Sequence, residues 1–277
     1  MQTTLDLFPQ GTIDPSFSAQ VRQWAEAVIG AGPRRPAPER IAIHLWEKDA
    51  DYQEFDAREK AELGITTGGE SEFLATHEAW RGFPRIHVNL EKIRGLTGEV
   101  VQGLVQHELA HALLHGRPEF YQFRFSGALQ NAGRSAGLDF QMLQQWVYLL
   151  AVAVKDEEVV RFQAAAGLGH GQLRLLEYLL EDTEEERRTW DLIRNHPALR
   201  LLGLAAFLKI RLPLAALAES AFTEAAQLRE AWEKAYAWLT PQEREELNAW
   251  ARTILEIRDG SFQDRLNQIV EALLRHS

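Results

Sequence analysis

The chain has 277 residues, 45% of them hydrophobic, enough for one large domain or two modest ones around a sizeable core. Thirty basic against 40 acidic residues give a formal charge of -10, which argues against a phosphate-binding surface and so against a nucleic-acid partner. With no cysteine there is neither a disulfide framework nor a thiolate metal site, so any metal must be held by histidine and carboxylate.

The opening residues, Met1 to Pro9, lack a basic region followed by an apolar run. No secretory signal is therefore expected, and the protein is expected in the cytoplasm. Phe17, Val21, Trp24, Ala25 and Val28 recur at helical spacing and predict a helix over 16–30, ended by Gly30. After a Pro-rich loop at 32–38, Ile41 to Trp46 alternates as a strand does. Gly64, Gly68 and Gly69 predict a turn over 64–70, followed by strands at Ser71 to Thr76 and Arg85 to Asn89.

The next segment carries the chemistry. Val100, Val101, Leu104, Val105, Leu109, Ala112, Leu113 and Leu114 follow a helical period, with Thr97 as N-cap, Glu99 in the first turn and Gly116 then Pro118 as the stop. On that helix lie His107, Glu108 and His111, in the pattern H-E-x-x-H. Side chains at i and i+4 share a face, roughly 5–6 Å apart at Cβ, so both imidazoles can close on one ion. Glu108 then stands beside the ion as a general base, the arrangement used in zinc-dependent peptide hydrolysis.

The remainder is mostly helical. Arg117 to Gly137, with Gly127, Gly133 and Gly137 and the aromatics Phe120, Tyr121, Phe123 and Phe125, reads as irregular. Asp139 can cap a helix reaching about Ala166, and further helices are predicted near 171–182, 184–195, 198–210, 213–230, 231–239, 241–257 and 262–276. Pro197, Pro213 and Pro241 read as first-turn prolines. No apolar stretch reaches the ~20 residues that a bilayer requires, so no membrane partner is expected. The apolar run Leu201 to Leu208 and Trp232, Trp238 and Trp250 suit a core, or the interface of a homodimer.

His107-Glu108-Leu109-Ala110-His111 resembles the active-site helix of the zincin metallopeptidases. The strand-like Pro84 to Asn89 adds to the likeness, because in zincins a strand beside the cleft receives the substrate by strand addition. Residues 84–116 carry most of the resemblance. It implies an α+β fold: a zincin-like part at 1–138 with a small sheet and the metal helix, and a mostly helical part at 139–277 that lends the third ligand. The implied cofactor is Zn2+ and the implied reaction is hydrolysis of a peptide or protein substrate by a metal-activated water. The metzincin pattern is absent, since Leu114 and Arg117 stand where that branch has Gly and His. Regulators of the ImmA/IrrE type resemble His107 to His115 as well, without their downstream pattern.

In the gluzincin branch the third ligand is a Glu from a later helix, and Lys155-Asp156-Glu157-Glu158 interrupts an otherwise apolar helix here. Glu158 shares its side with Val154, Ala151 and Ala165 and is the expected third metal ligand, with Glu157 close behind and Asp156 as an acceptor for a ligand imidazole. A solvated polar face is the bland alternative. His115 lies about 40° off the His107–His111 direction, which suits C-terminal capping better than ligation. Tyr121, Tyr148, His87 and His170 are unranked candidates to stabilise an oxyanion. A zincin-like scaffold with a structural or vestigial metal, serving regulation or protein binding, is the alternative function.

Overall fold

A computed structural model describes residues 3–32, 37–65, 73–181, 183–219 and 225–275. It is an α+β protein with a small mixed four-stranded sheet and, among the described residues, twelve α-helices. The chain forms two compact units: Met1–Pro118 with Ala166–Leu175, and Glu119–Ala165 with Leu176–Ser277. The break anticipated near residue 138 lies inside the second unit.

In unit 1 the order is β1 (Thr4–Gln10), α1 (Pro15–Gly30), β2 (Arg40–Trp46), α2 (Asp49–Leu63), β3 (Ala75–Glu78), β4 (Arg85–Asn89), α3 (Leu90–Ile93) and α4 (Gly98–His115). Three elements were not anticipated, β1, α2 and the single turn of α3. β1 is an edge strand in which Pro9 is tolerated because only one side of the strand is paired. α2 is so rich in charge that only Tyr52 and Phe55 mark its apolar side. The turn glycines Gly68 and Gly69, with Ser71 and Glu72 of the anticipated strand, lie outside the described residues; the strand observed there starts at Ala75.

The sheet runs in the order β1-β2-β4-β3, with β1, β2 and β4 parallel and β3 antiparallel at the edge. This corrects the expectation for Pro84 to Asn89. β4 is hydrogen-bonded on both sides, so it has no free edge to offer a substrate, and the edge strand beside it is β3. Alternation divides the faces. Ile41, Ile43, Leu45, Ile86 and Val88 are all fully buried on one face. Each contributes about 1.5–3 kcal/mol relative to exposure. α1 and α4 pack together, and α4 lies on β3 and β4. Register sets His77 opposite Ile86, which turns its ring toward α4.

The other face is polar and aromatic. Trp46 Nε1 donates to His87 Nδ1 at 3.1 Å, and His87 Nε2 approaches Glu78 at 3.5 Å. Arg85 pairs with Glu78 and, at 2.5 Å, with Glu59 of α2, so an ion network ties that helix to the sheet. His44 is stacked between Phe8 and His87, with centroids at 4.9 and 5.1 Å. Burial, reinforced by the positive charge of Arg85 and by His87, lowers its pKa to about 4. His87 is pushed down as well, chiefly by burial.

A 3-10 turn (Pro118–Phe120) spans the start of unit 2, which contains α5 (Gly127–Ser135), α6 (Phe140–Ala165), the latter part of α7 (Gly169–Leu179), α8 (Glu184–Ile193), α9 (Pro197–Ala218), α10 (Ala225–Ala235), α11 (Pro241–Glu256) and α12 (Phe262–Leu274). α6 and α9 form its centre, joined by a hydrogen bond from Trp146 Nε1 to the Leu201 carbonyl at 3.1 Å. Asp139 caps α6 by accepting from Met142 N at 2.8 Å. Two readings need correction. α5 forms within the segment read as irregular, capped by Ser126, whose side chain accepts from Leu129 N at 3.1 Å. Pro213 does not open a helix; it lies inside α9, where burial of Leu212, Leu214, Ala216 and Leu217 outweighs the cost of a missing N–H. Because α9 is thus continuous, it is long and apolar enough to cross a membrane, contrary to the sequence reading. Sixty-one per cent of its apolar window is buried in the protein, as suits a core helix.

The sign of the His44 shift sets a pH dependence. Its folded pKa lies below its unfolded value, so the unfolded chain binds more protons between them, and stability falls as pH drops from about 6.5 toward 4. His44→Phe, which keeps the stack, is expected to make the urea midpoint fall less steeply over that window, with His87 accounting for what slope remains. Parallel curves for variant and wild type would show that His44 is not the titrating group.

Candidate metal centre

Helix α4 is buried on nearly every side: thirteen of its eighteen residues are buried. Thr97 Oγ1 accepts from Val100 N at 3.4 Å at its start, and Gly116 ends it, as the sequence anticipates. Such burial requires that each polar side chain on the helix find a partner.

His107 and His111 converge through the same atom type, with their Nε2 atoms 3.0 Å apart. Two nitrogens held at about 2.0–2.1 Å by one tetrahedral ion would stand roughly 3.3 Å apart, so the pair needs only a small opening to hold Zn2+. His107 Nδ1 lies 2.9 Å from Gln172 Oε1. An amide oxygen only accepts, so Nδ1 carries the proton and Nε2 presents its lone pair, the tautomer a metal ligand needs. The donor set of imidazole nitrogen without thiolate suits zinc among the common divalent ions.

Gln172 reaches His107 because two glycines allow it. A Cβ on Gly103 would stand 2.0 Å from the Gly171 carbonyl oxygen, so backbone touches backbone where the start of α7 crosses α4. Glu108 is also buried, and its Oε2 accepts from His77 Nδ1 at 2.6 Å. The His77 ring stacks on His111 with centroids 4.2 Å apart and planes at 8°. His115, read as a helix C-terminal cap rather than a ligand, lies in the last turn and is fully buried, with its Nδ1 3.1 Å from His111 Nδ1. It therefore stands behind His111, on the side away from the Nε2 pair. His77, Gln172 and the placement of His115 were all missed. The neighbouring glycines at 169 and 171 were the one local hint of a close approach.

The acidic break in α6 has its own explanation within unit 2. Glu158, the anticipated third ligand, is ion-paired with Arg265. Glu157 is buried and accepts from Arg161 Nε and a terminal nitrogen at 2.8 and 2.6 Å, with Arg258 at 3.6 Å. Lys155 lies over the Tyr121 ring, 4.5 Å from its centroid. Of the oxyanion candidates, His87 is on the sheet face opposite α4 and serves the Trp46–Glu78 network. His170 is exposed, 3.4 Å from Glu99, and Tyr148 is exposed on α6. Comparison with protein-family models, with curated proteins and with solved structures returns no match.

The glycine contact yields a stability prediction. Gly103→Ala forces backbone apart and should destabilise the protein by about 1–3 kcal/mol, as overpacking does. Gly98→Ala, where nothing lies within 4 Å, should be neutral or slightly stabilising in the same urea titration. Equal stability of the two variants would refute the close crossing.

Proposed function

We propose that the protein is a zincin-type, zinc-dependent metallopeptidase. The observation that carries this reading is the convergence of the His107 and His111 Nε2 atoms at 3.0 Å, with Glu108 adjacent on the same buried helix. A zinc ion bound there would polarise a scissile carbonyl and make a water molecule more acidic. Glu108 would accept the proton of the attacking water and return it to the leaving nitrogen. His77, by holding Oε2, would fix the Glu108 rotamer and leave Oε1 to carry that proton. An extended peptide would add to β3, the antiparallel edge strand on which α4 packs and which carries His77.

Zinc in a catalytic site needs a third protein ligand. Glu158 is the carboxylate we put forward, with Glu157 and Asp156 as alternates from the same break in α6. Recruiting Glu158 would displace Arg265, and recruiting Glu157 would displace Arg161.

A second reading draws on the same bond from His77. A general base already engaged at 2.6 Å suits a scaffold whose metal is structural and whose surface binds a protein partner. Elemental analysis and hydrolysis of an unstructured protein such as casein separate the two. Wild type is expected to hold near-stoichiometric zinc, lost in His111→Ala and in one of Asp156→Asn, Glu157→Gln and Glu158→Gln. Glu108→Gln should keep the metal and lose about 10²–10⁴-fold in turnover. Zinc retention with no hydrolysis by wild type would favour the scaffold. Absence of any divalent metal would end both readings.

A further inference from the structure

We propose that Arg211, with Arg229 and Arg252 beside it, is the centre of an anion site in unit 2 that takes a phosphate-type oxyanion. The site shares no residue with the metal centre and does not depend on it.

Among the described residues of unit 2, the other half-buried arginines each meet a carboxylate. Arg161 pairs with Glu157, Arg194 with Glu243, Arg200 with Glu246, Arg244 with Glu233 and Arg265 with Glu158. Arg211 of α9 is half-buried too, yet among the described residues its one hydrogen bond goes to a neutral group: Nε donates to Asn248 Oδ1 of α11 at 2.8 Å. Its guanidinium lies over the Trp232 ring of α10, 5.2 Å from the centroid. A ring face attracts the charge but offers the N–H groups no lone pair. Glu233 is the acid that acts on Arg211, and it is exposed and engaged with Arg244 at 3.7 Å.

Donors outnumber acceptors around this group. Trp232 is buried, and its Nε1–H has no hydrogen-bond partner. Asn248, having given its oxygen to Arg211, keeps its amide N–H groups for a ligand. Charge is unbalanced as well. Arg229 lies one turn before Trp232 on α10, and Arg252 one turn after Asn248 on α11; both are exposed, and Arg252 also pairs with Glu245 at 2.8 Å. Burial, opposed by Glu233 and reinforced by the like charges of Arg229 and Arg252, lowers the pKa of Arg211, so the three cations lie within one another's field. An anion with several oxygens relieves both deficits, because it brings acceptors for the N–H groups and opposite charge for the guanidiniums. Guanidiniums contributed by three helices suit a tetrahedral oxyanion better than a carboxylate, whose two oxygens a single fork can take. The formal charge of -10 opposes a broad phosphate-binding surface and leaves room for one local site.

Titration of the ¹⁵N-labelled full chain with inorganic phosphate near neutral pH, ionic strength held constant with sodium chloride, tests the site by NMR. The Nε–H of Arg211 reports it in wild type, and the indole N–H of Trp232 reports it in every variant. Saturable shifts are expected at both. Affinity should fall about 10-fold in Arg229→Gln, and as much in Arg211→Lys, which keeps the charge and loses the fork. Arg229 is exposed, so its variant is expected to fold as wild type does, and Arg188→Gln, an exposed charge on α8, should bind phosphate as wild type does. No saturable shift with phosphate, the same shift with sodium chloride alone, or equal weakening in Arg188→Gln and Arg229→Gln would overturn the proposal. Methyl phosphate separates the sources of the anion. Binding equal to that of inorganic phosphate assigns the site to the terminal phosphate of a larger molecule, whereas binding of inorganic phosphate alone assigns it to the free ion.

Discussion

A helix that is buried on almost every side cannot carry charged or polar side chains unless each finds a partner inside, because an unmet buried donor or acceptor costs about 1–3 kcal/mol. That constraint governs α4. Four of its polar side chains, His107, Glu108, His111 and His115, face the interior or its margin, and the surroundings meet them one by one. His77 arrives on β3, Gln172 arrives where two glycines let α7 touch α4, and His115 closes the line from the end of the helix. Much of unit 1 can be understood as the scaffold that delivers these partners.

The sheet does two separate tasks through its alternation. One face supplies the aliphatic bed on which α1 and α4 rest, and the parity of β3 turns His77 toward Glu108. The other face spends its polar residues on holding α2, through Glu59, Arg85 and Glu78, with His44 and His87 kept neutral by burial. Histidine is therefore used in two ways in one unit: as neutral packing that resists protonation on one face, and as a directed nitrogen on the other. The residue type alone does not distinguish them; the face does.

This division explains what could be read from the chain. The limits of α4 were legible because Thr97 and Gly116 act within a turn of the residues they cap. The H-E-x-x-H spacing was legible for the same reason. Partners contributed from elsewhere were not: His77 is 31 residues from Glu108 and Gln172 is 65 from His107, and no local pattern joins them. The contact of His115 with His111 was not legible, because burial cannot be read from a helix-end position. α2 escaped notice because it is amphipathic in aromatic contacts rather than in aliphatic period, and α5 because its glycines resemble a loop. Pro213 misled by its usual preference for a first turn, which the packing of α9 overrides. The carboxylates of the acidic break in α6 need charge partners where they pack inside the protein. Arginines in the same unit, Arg265 for Glu158 and Arg161 for Glu157, meet that need.

The central claim is that the Nε2 atoms of His107 and His111 face one ion. Anomalous diffraction from crystals grown with zinc, collected on both sides of the zinc edge, tests it most directly. A single strong peak about 2.0–2.1 Å from both Nε2 atoms is the result expected. A zinc-saturated crystal with no peak between the two rings, or with the two Nε2 atoms still in mutual hydrogen bonding, would contradict it.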